Sequence, residues 1–150
     1  MIRLEVPAEL RYRAVVIRTV AAACKVAREQ KVGENPELDL SNEFDAQMVS
    51  ALSEAFNNIV IHAYADGAIG NITIEADTED CQLHVRLLDF GSSMEPSTIP
   101  PPNLASLPEN GMGLFIVRAF VDEFDYQAGK PNIWSLKKRL PNRRKPSLPS

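Results

Sequence analysis

The sequence contains no apolar run of about 18 residues, so nothing in it reads as a membrane-spanning helix. Its first ten residues, MIRLEVPAEL, carry acids and no apolar block, which does not fit a secretory signal; a cytoplasmic protein is expected. Cysteine is scarce. Cys24 and Cys81 stand far apart in apolar patterns, at no zinc spacing, and read as buried reduced thiols. No His/Cys/Asp cluster has metal-ligand spacing, no Ser–His–Asp order occurs, and neither GxxxxGK[ST] nor GxGxxG is present. Lysine and arginine are missing altogether between Arg86 and Arg118.

At 150 residues the chain is one domain, with 45% hydrophobic and 24% charged residues, as in globular proteins. The net charge of −4 is uneven. Six of the 16 basic residues crowd the C-terminal end (Lys137, Lys138, Arg139, Arg143, Arg144 and Lys145). The acidic body argues against direct DNA or other nucleic-acid binding as the main task. The basic end reads either as a solvated tail or as a contact for an acidic partner or RNA.

Along the chain, Ile2 to Val6 alternates as a strand, and Pro7 suits the opening of a helix running to about Gln30, with Leu10, Ala14, Ile17, Ala21 and Cys24 near one face. Residues 31–40 form a loop. Ser41 or Asn42 then caps a central helix that Asp66-Gly67 ends. Asn71 to Asp77 and Cys81 to Asp89 alternate as a hairpin around Thr78-Glu79-Asp80. From Ser92 to Asn110 five prolines replace apolar periodicity, which predicts a long functional or disordered connection. A helix follows, with Leu114, Val117, Phe120 and Val121 inward, then a strand over 124–128, a turn over 129–132, and a last strand over 133–140 carrying the single Trp134. Nothing supports order after Pro141, which leaves residues 141–150 as a basic tail. The pattern predicts a two-layer α/β sandwich, with three helices on one face of a mostly antiparallel mixed sheet.

Three motifs carry chemistry. Within SALSEAFNNIVIHAY, Glu54, Asn58 and His62 recur every four residues and share a helix face, beside the apolar stripe Leu52, Phe56, Ile59 and Ala63. Alone this reads either as a solvated polar face or as a site in which Asn58 offers a neutral oxygen to Mg2+ and Glu54 takes a proton from a hydroxyl. His62 reads as structural. Asp89-Phe90-Gly91 ends a strand, where a buried carboxylate accepts from an exocyclic amine and glycine lets a flat base approach. Gly111-Met112-Gly113 opens a helix whose N–H groups favour phosphates. Each glycine motif is weak by itself; their order after E-x-x-x-N is specific.

SEAFNNIVIHAY, LLDFGSSM and NGMGLFIVRAFVDEFDY resemble the N, G1 and G2 boxes of GHKL-type ATPases with the Bergerat fold, and most resemble the small bacterial anti-sigma factors that are serine/threonine kinases. The resemblance runs from about Leu4 to Leu140. It implies that Glu54 is the catalytic glutamate, that Asn58 holds Mg2+, and that Asp89 reads adenine with Gly91 beneath the base. It implies that Gly111 and Gly113 lie beside the phosphates, that Met94, Met112 and Leu114 border the nucleotide, and that residues 92–110 form its lid. It places Arg18 near the contact with protein partners. The implied activity is phosphorylation by ATP of an anti-sigma factor antagonist, regulating a sigma factor, in a homodimer. The lid lacks the cation this chemistry would favour, which leaves a nucleotide-dependent binding module as the alternative.

Overall fold

The computed structural model describes residues 1–28, 42–64, 67–94 and 112–141. Its elements in order are β1 (Ile2–Pro7), α1 (Arg13–Arg28), α2 (Glu43–Asn58), β2 (Asn71–Glu79), β3 (Gln82–Asp89), α3 (Met112–Phe120), β4 (Glu123–Gln127) and β5 (Asn132–Arg139). The strands form one sheet in the order β1-β2-β3-β5-β4. All four ladders are antiparallel, so the described sheet carries no parallel pair, where some mixing was expected. The predicted two-layer arrangement with three helices is otherwise as built.

Strand alternation decides what faces the helices. Leu4, Ile74, Leu87, Trp134 and Tyr126 form one row across the five strands, and Val85, Leu136 and Phe124 lie in the next. These side chains meet Val16, Val20 and Cys24 of α1, Met48, Leu52 and Phe56 of α2, and Leu114 and Val117 of α3 in one core. Each such side chain contributes roughly 1.5–3 kcal/mol on leaving water. Trp134 also packs edge-on against Tyr126, with centroids 5.2 Å apart, and against Phe124 at 5.8 Å.

The helices are pinned by charge as well as by apolar contact. Arg28 donates twice to Asp45, Nε to Oδ1 at 2.7 Å and Nη2 to Oδ2 at 2.6 Å, clasping the end of α1 to the first turn of α2. Asn42 caps α2 by accepting the Asp45 N–H at 3.3 Å. Lys138 Nζ donates to the Phe120 carbonyl at 2.7 Å, a cation at the C-terminus of α3.

Three sequence expectations are corrected here. Pro7 ends β1 opposite Asn71, and α1 begins only at Arg13 after a 3-10 turn over Leu10–Tyr12. An edge strand tolerates a residue without an N–H, and this removes the need to place Pro7 in a helix. Along α1 Ala21 and Cys24 are buried as expected, together with Val16, Val20, Ala23 and Ala27, while Leu10 and Ala14 are exposed. From Ala14 to Cys24 nearly every residue is apolar, so periodicity alone fits more than one face. Cys81 lies in the hairpin turn and is only half-buried, unlike Cys24. The predicted loop 31–40 and the tail beyond Pro141 lie outside the described residues.

That turn places both central residues in the left-handed region, Asp80 at φ 50° and Cys81 at φ 61°, between the paired Glu79 and Gln82. Two-residue hairpin loops of this kind favour glycine second. Cys81→Gly is expected to raise stability by about 1 kcal/mol, or ~2–4 °C in melting midpoint, as read by circular dichroism.

On the outer face of the sheet, His84 Nε2 and Ser135 Oγ are 2.6 Å apart. Partial burial, then Arg86 and Lys137, hold the His84 pKa below its ordinary value of 6.5. The unfolded chain therefore takes up a proton that the folded one refuses. Unfolding free energy is expected to fall as pH drops from 6.5 through the lower folded value, and to be complete above 6.5. Urea titrations of His84→Gln across that window should lose this component of the slope.

Candidate functional site

The chemistry-bearing face of α2 is turned towards α3. A Cβ added at Gly113, the second residue of α3, would lie 2.5 Å from Glu54 Oε2 and 3.3 Å from Asn58 Nδ2. Glycine is therefore what lets the acid, the carboxamide and the start of α3 share one space. Asn58 Nδ2 donates to the Glu54 carbonyl at 2.8 Å. That bond commits the NH2 group and leaves Oδ1 as the oxygen available to a hard cation. Asn57 accepts from Arg13 Nη1 at 3.3 Å, which brings the start of α1 against the same helix.

Beyond Asn58 the helix widens. Ile59–Ala63 form a π-helical turn, closed by the Tyr64 N–H on the Ile59 carbonyl at 3.3 Å. The Ala63 carbonyl then accepts the Ser92 N–H at 2.9 Å. Gly91 packs directly on this carbonyl, with which an added Cβ would collide. Tyr64 Oη accepts the Phe90 N–H at 3.0 Å and donates to the Asn71 carbonyl at 3.1 Å. The end of α2 thus fixes the chain on the far side of Asp89.

Asp89 is 1% exposed, although it occupies a helix-facing position of β3. Its Oδ1 accepts from Gly91 N–H and from Asn132 Nδ2, each at 2.9 Å. Its Oδ2 is buried without a partner. Burial raises the carboxyl above the ordinary carboxylate range, and the Asn132 and Gly91 bonds pull it back. A buried acceptor oxygen left open at a cavity wall fits an exocyclic amine.

The cavity it borders has a volume of ≈ 490 Å³, within the range of small-molecule sites. Asn58, Ile59, His62 and Ala63 line it from α2 and the π turn, and Met94, Leu114, Tyr126 and Trp134 supply apolar walls. Met94 is held by its N–H donating to Tyr126 Oη at 2.8 Å.

Of the residues singled out from sequence, Asn58, Asp89, Met94 and Leu114 line the cavity, Gly91 seats the turn beside it, and Glu54 meets Asn58 across Gly113. Met112 opens α3; Gly111 and residues 95–110 of the lid lie outside the described residues. His62, read as structural, is exposed and lines the cavity. Arg18 is exposed on α1 and Arg118 stacks over Phe124, 5.7 Å from its centroid. Asn132, Tyr126 and Arg13 escaped the sequence reading. The polar–apolar alternation 132, 134, 136 running back from Trp134 was the available signal for Asn132.

A family profile for the histidine kinase-like ATPase domain matches residues 6–137. The chain belongs to this family of ATPases. Within it, the chain is 28% identical over 130 residues to the serine-protein kinase RsbW of Bacillus mycoides (strain KBAB4), covering 81% of this chain and 74% of that one. It is 33% identical over 96 residues to the anti-sigma F factor of Caldanaerobacter subterraneus subsp. tengcongensis, covering 61% and 66%. The histidine kinase domain from the Erythrobacter litoralis EL346 blue-light activated histidine kinase superposes with a TM-score of 0.56 at 19% identity, over 90% of this chain. The present chain spans 62% of that solved chain, and the likeness speaks to fold alone. Among the described residues no helix is long and apolar enough to cross a membrane, and no group of three or more His, Cys, Asp or Glu is placed to hold a metal. As a member of this family the chain uses ATP.

Proposed function

We propose that this chain is an ATP-dependent protein serine/threonine kinase. Its substrate is an anti-sigma factor antagonist, and phosphorylating it sets the availability of a sigma factor by partner switching. The observation that carries the reading is one of placement. A buried acceptor oxygen on Asp89 stands at one wall of a nucleotide-sized cavity, and the Glu54–Asn58–Gly113 cluster adjoins Asn58 at another. Two relatives bearing the names serine-protein kinase and anti-sigma F factor support it.

In this reading Asp89 Oδ2 accepts the 6-amino group of adenine, and Leu114, Met94, Tyr126 and Trp134 exclude water from the base. The N-terminal turn of α3, with Gly113, receives the phosphates, and Gly111, which precedes it in the sequence, is proposed to border them. Asn58 would hold Mg2+, which would neutralise charge on the phosphates. Glu54 takes the proton of the attacking serine or threonine hydroxyl as the γ-phosphoryl group passes to its oxygen, and ADP leaves. Arg18, and Arg13 beside Asn57, are proposed as contacts for the protein partner. The protein is proposed to act as a cytoplasmic homodimer, with no direct contact with DNA.

A second reading, a nucleotide-dependent module that sequesters a regulator without phosphotransfer, is favoured by one feature. No lysine or arginine lies between Arg86 and Arg118, and Arg118 is engaged over Phe124. Purified protein with labelled ATP, magnesium and the antagonist separates the two. Label on a serine or threonine of the antagonist is expected; tight ATP binding with no transfer at saturating antagonist selects the module.

A further inference from the structure

Asn132 opens the last strand and has no exposed surface, yet it is an amide among apolar side chains. All four of its hydrogen-bonding positions are filled. Nδ2 donates to Asp89 Oδ1 at 2.9 Å and to the Gly91 carbonyl at 3.0 Å. Oδ1 accepts the Ser93 hydroxyl at 2.6 Å and the Gly129 N–H at 2.9 Å. The amide cannot be turned over. A carboxylate and a carbonyl can only accept, so they require the NH2; a backbone N–H can only donate, so it requires the oxygen.

This arrangement breaks the symmetry of the Asp89 carboxylate. Oδ1 is consumed by Asn132 and the Gly91 N–H, and Oδ2 alone is left open. Without the Asn132 contact the Gly91 N–H alone would hold Oδ1, and the carboxylate would be less firmly fixed about its Cβ–Cγ bond. The same amide is bonded to Ser93, at the root of the segment that begins the lid, where Ser92 and Met94 are fastened to Ala63 and Tyr126.

We propose that Asn132 is the positioning residue of base recognition: it aims one oxygen of Asp89 at a 6-aminopurine and ties that aim, through Ser93, to the backbone anchored at Ser92 and Met94. The inference rests on the reading of Asp89 as the adenine-binding group. It makes discrimination between a 6-amino and a 6-oxo purine depend on a residue that touches neither.

The test is calorimetric titration with MgATP and MgITP, whose purine bears a carbonyl where adenine bears its amine, alongside the melting midpoint of each protein. Wild type is expected to prefer ATP at least about tenfold, because a 6-oxo group sets acceptor against acceptor. Asn132→Ala is expected to lower that preference to below about threefold, chiefly by weakening ATP. Ser93→Ala, at an exposed position on the cavity rim that removes one of the two bonds to Asn132 Oδ1, is expected to lower it about twofold with a melting midpoint only a few degrees lower. A folded Asn132→Ala that loses affinity for both nucleotides equally and keeps the preference overturns the proposal and leaves Asp89 standing. If Asn132→Ala does not fold, an unaltered preference in Ser93→Ala overturns it. A wild type that binds both nucleotides alike removes the Asp89 reading, and this inference with it.

Discussion

Glu54→Ala is expected to lower phosphate transfer to the antagonist by about two to four orders of magnitude while ATP affinity stays within about threefold of wild type. The split follows from position. Glu54 is not among the cavity-lining side chains; its carboxylate meets the rest of the site only beside Gly113 and Asn58. In the proposed reading, removing it deletes the base and leaves the purine and phosphate contacts in place. Glu54→Gln is the sharper variant, because it keeps the volume beside Gly113 and loses only the ability to take a proton. Single-turnover labelling with ATP and antagonist measures the rate, and calorimetry the affinity. Wild-type transfer rates in Glu54→Gln would remove Glu54 as the base.

Asp89→Ala is expected to do the opposite, lowering ATP affinity about ten- to a hundredfold through loss of a charge-assisted contact to the base. Part of the loss comes from the protein itself, since Asn132 Nδ2 and the Gly91 N–H lose an acceptor in the interior. The sequence contains one tryptophan, Trp134, and it lines the cavity. Its fluorescence should change on ATP addition in wild type and respond only at much higher ATP in Asp89→Ala. Affinity within twofold of wild type would place the base elsewhere.

Much of this site was legible before any coordinates, for a physical reason. Glu54 and Asn58 are fixed to one another by the pitch of a single helix, and Asp89 by the alternation of a single strand. Local periodicity is enough for both. What local pattern could not supply is what arrives from elsewhere in the fold. Alternation running back from Trp134 puts Asn132 on the inner face of its strand, but only its pairing opposite Asp89 turns it into a buried bridge. The π turn over Ile59–Ala63 has no sequence signature, yet it sets the carbonyl on which Gly91 and Ser92 rest. Pro7 and the face of α1 were misread where a breaker had two permitted roles, or where an almost uniformly apolar helix offered no contrast.

Because β3 contributes Asp89 and the final strand contributes its partner, the cavity proposed to hold the nucleotide is completed late in synthesis. A chain that has emerged only through Gly91 gives Asp89 the Gly91 N–H alone as a partner, and Asn132 joins it once the final strand follows. ATP in the cell is thus poised to act as a ligand that rewards the finished fold over shorter nascent forms, by the mass-action gain any native-state ligand confers. Chains lacking that strand are expected to gain no stability from the nucleotide.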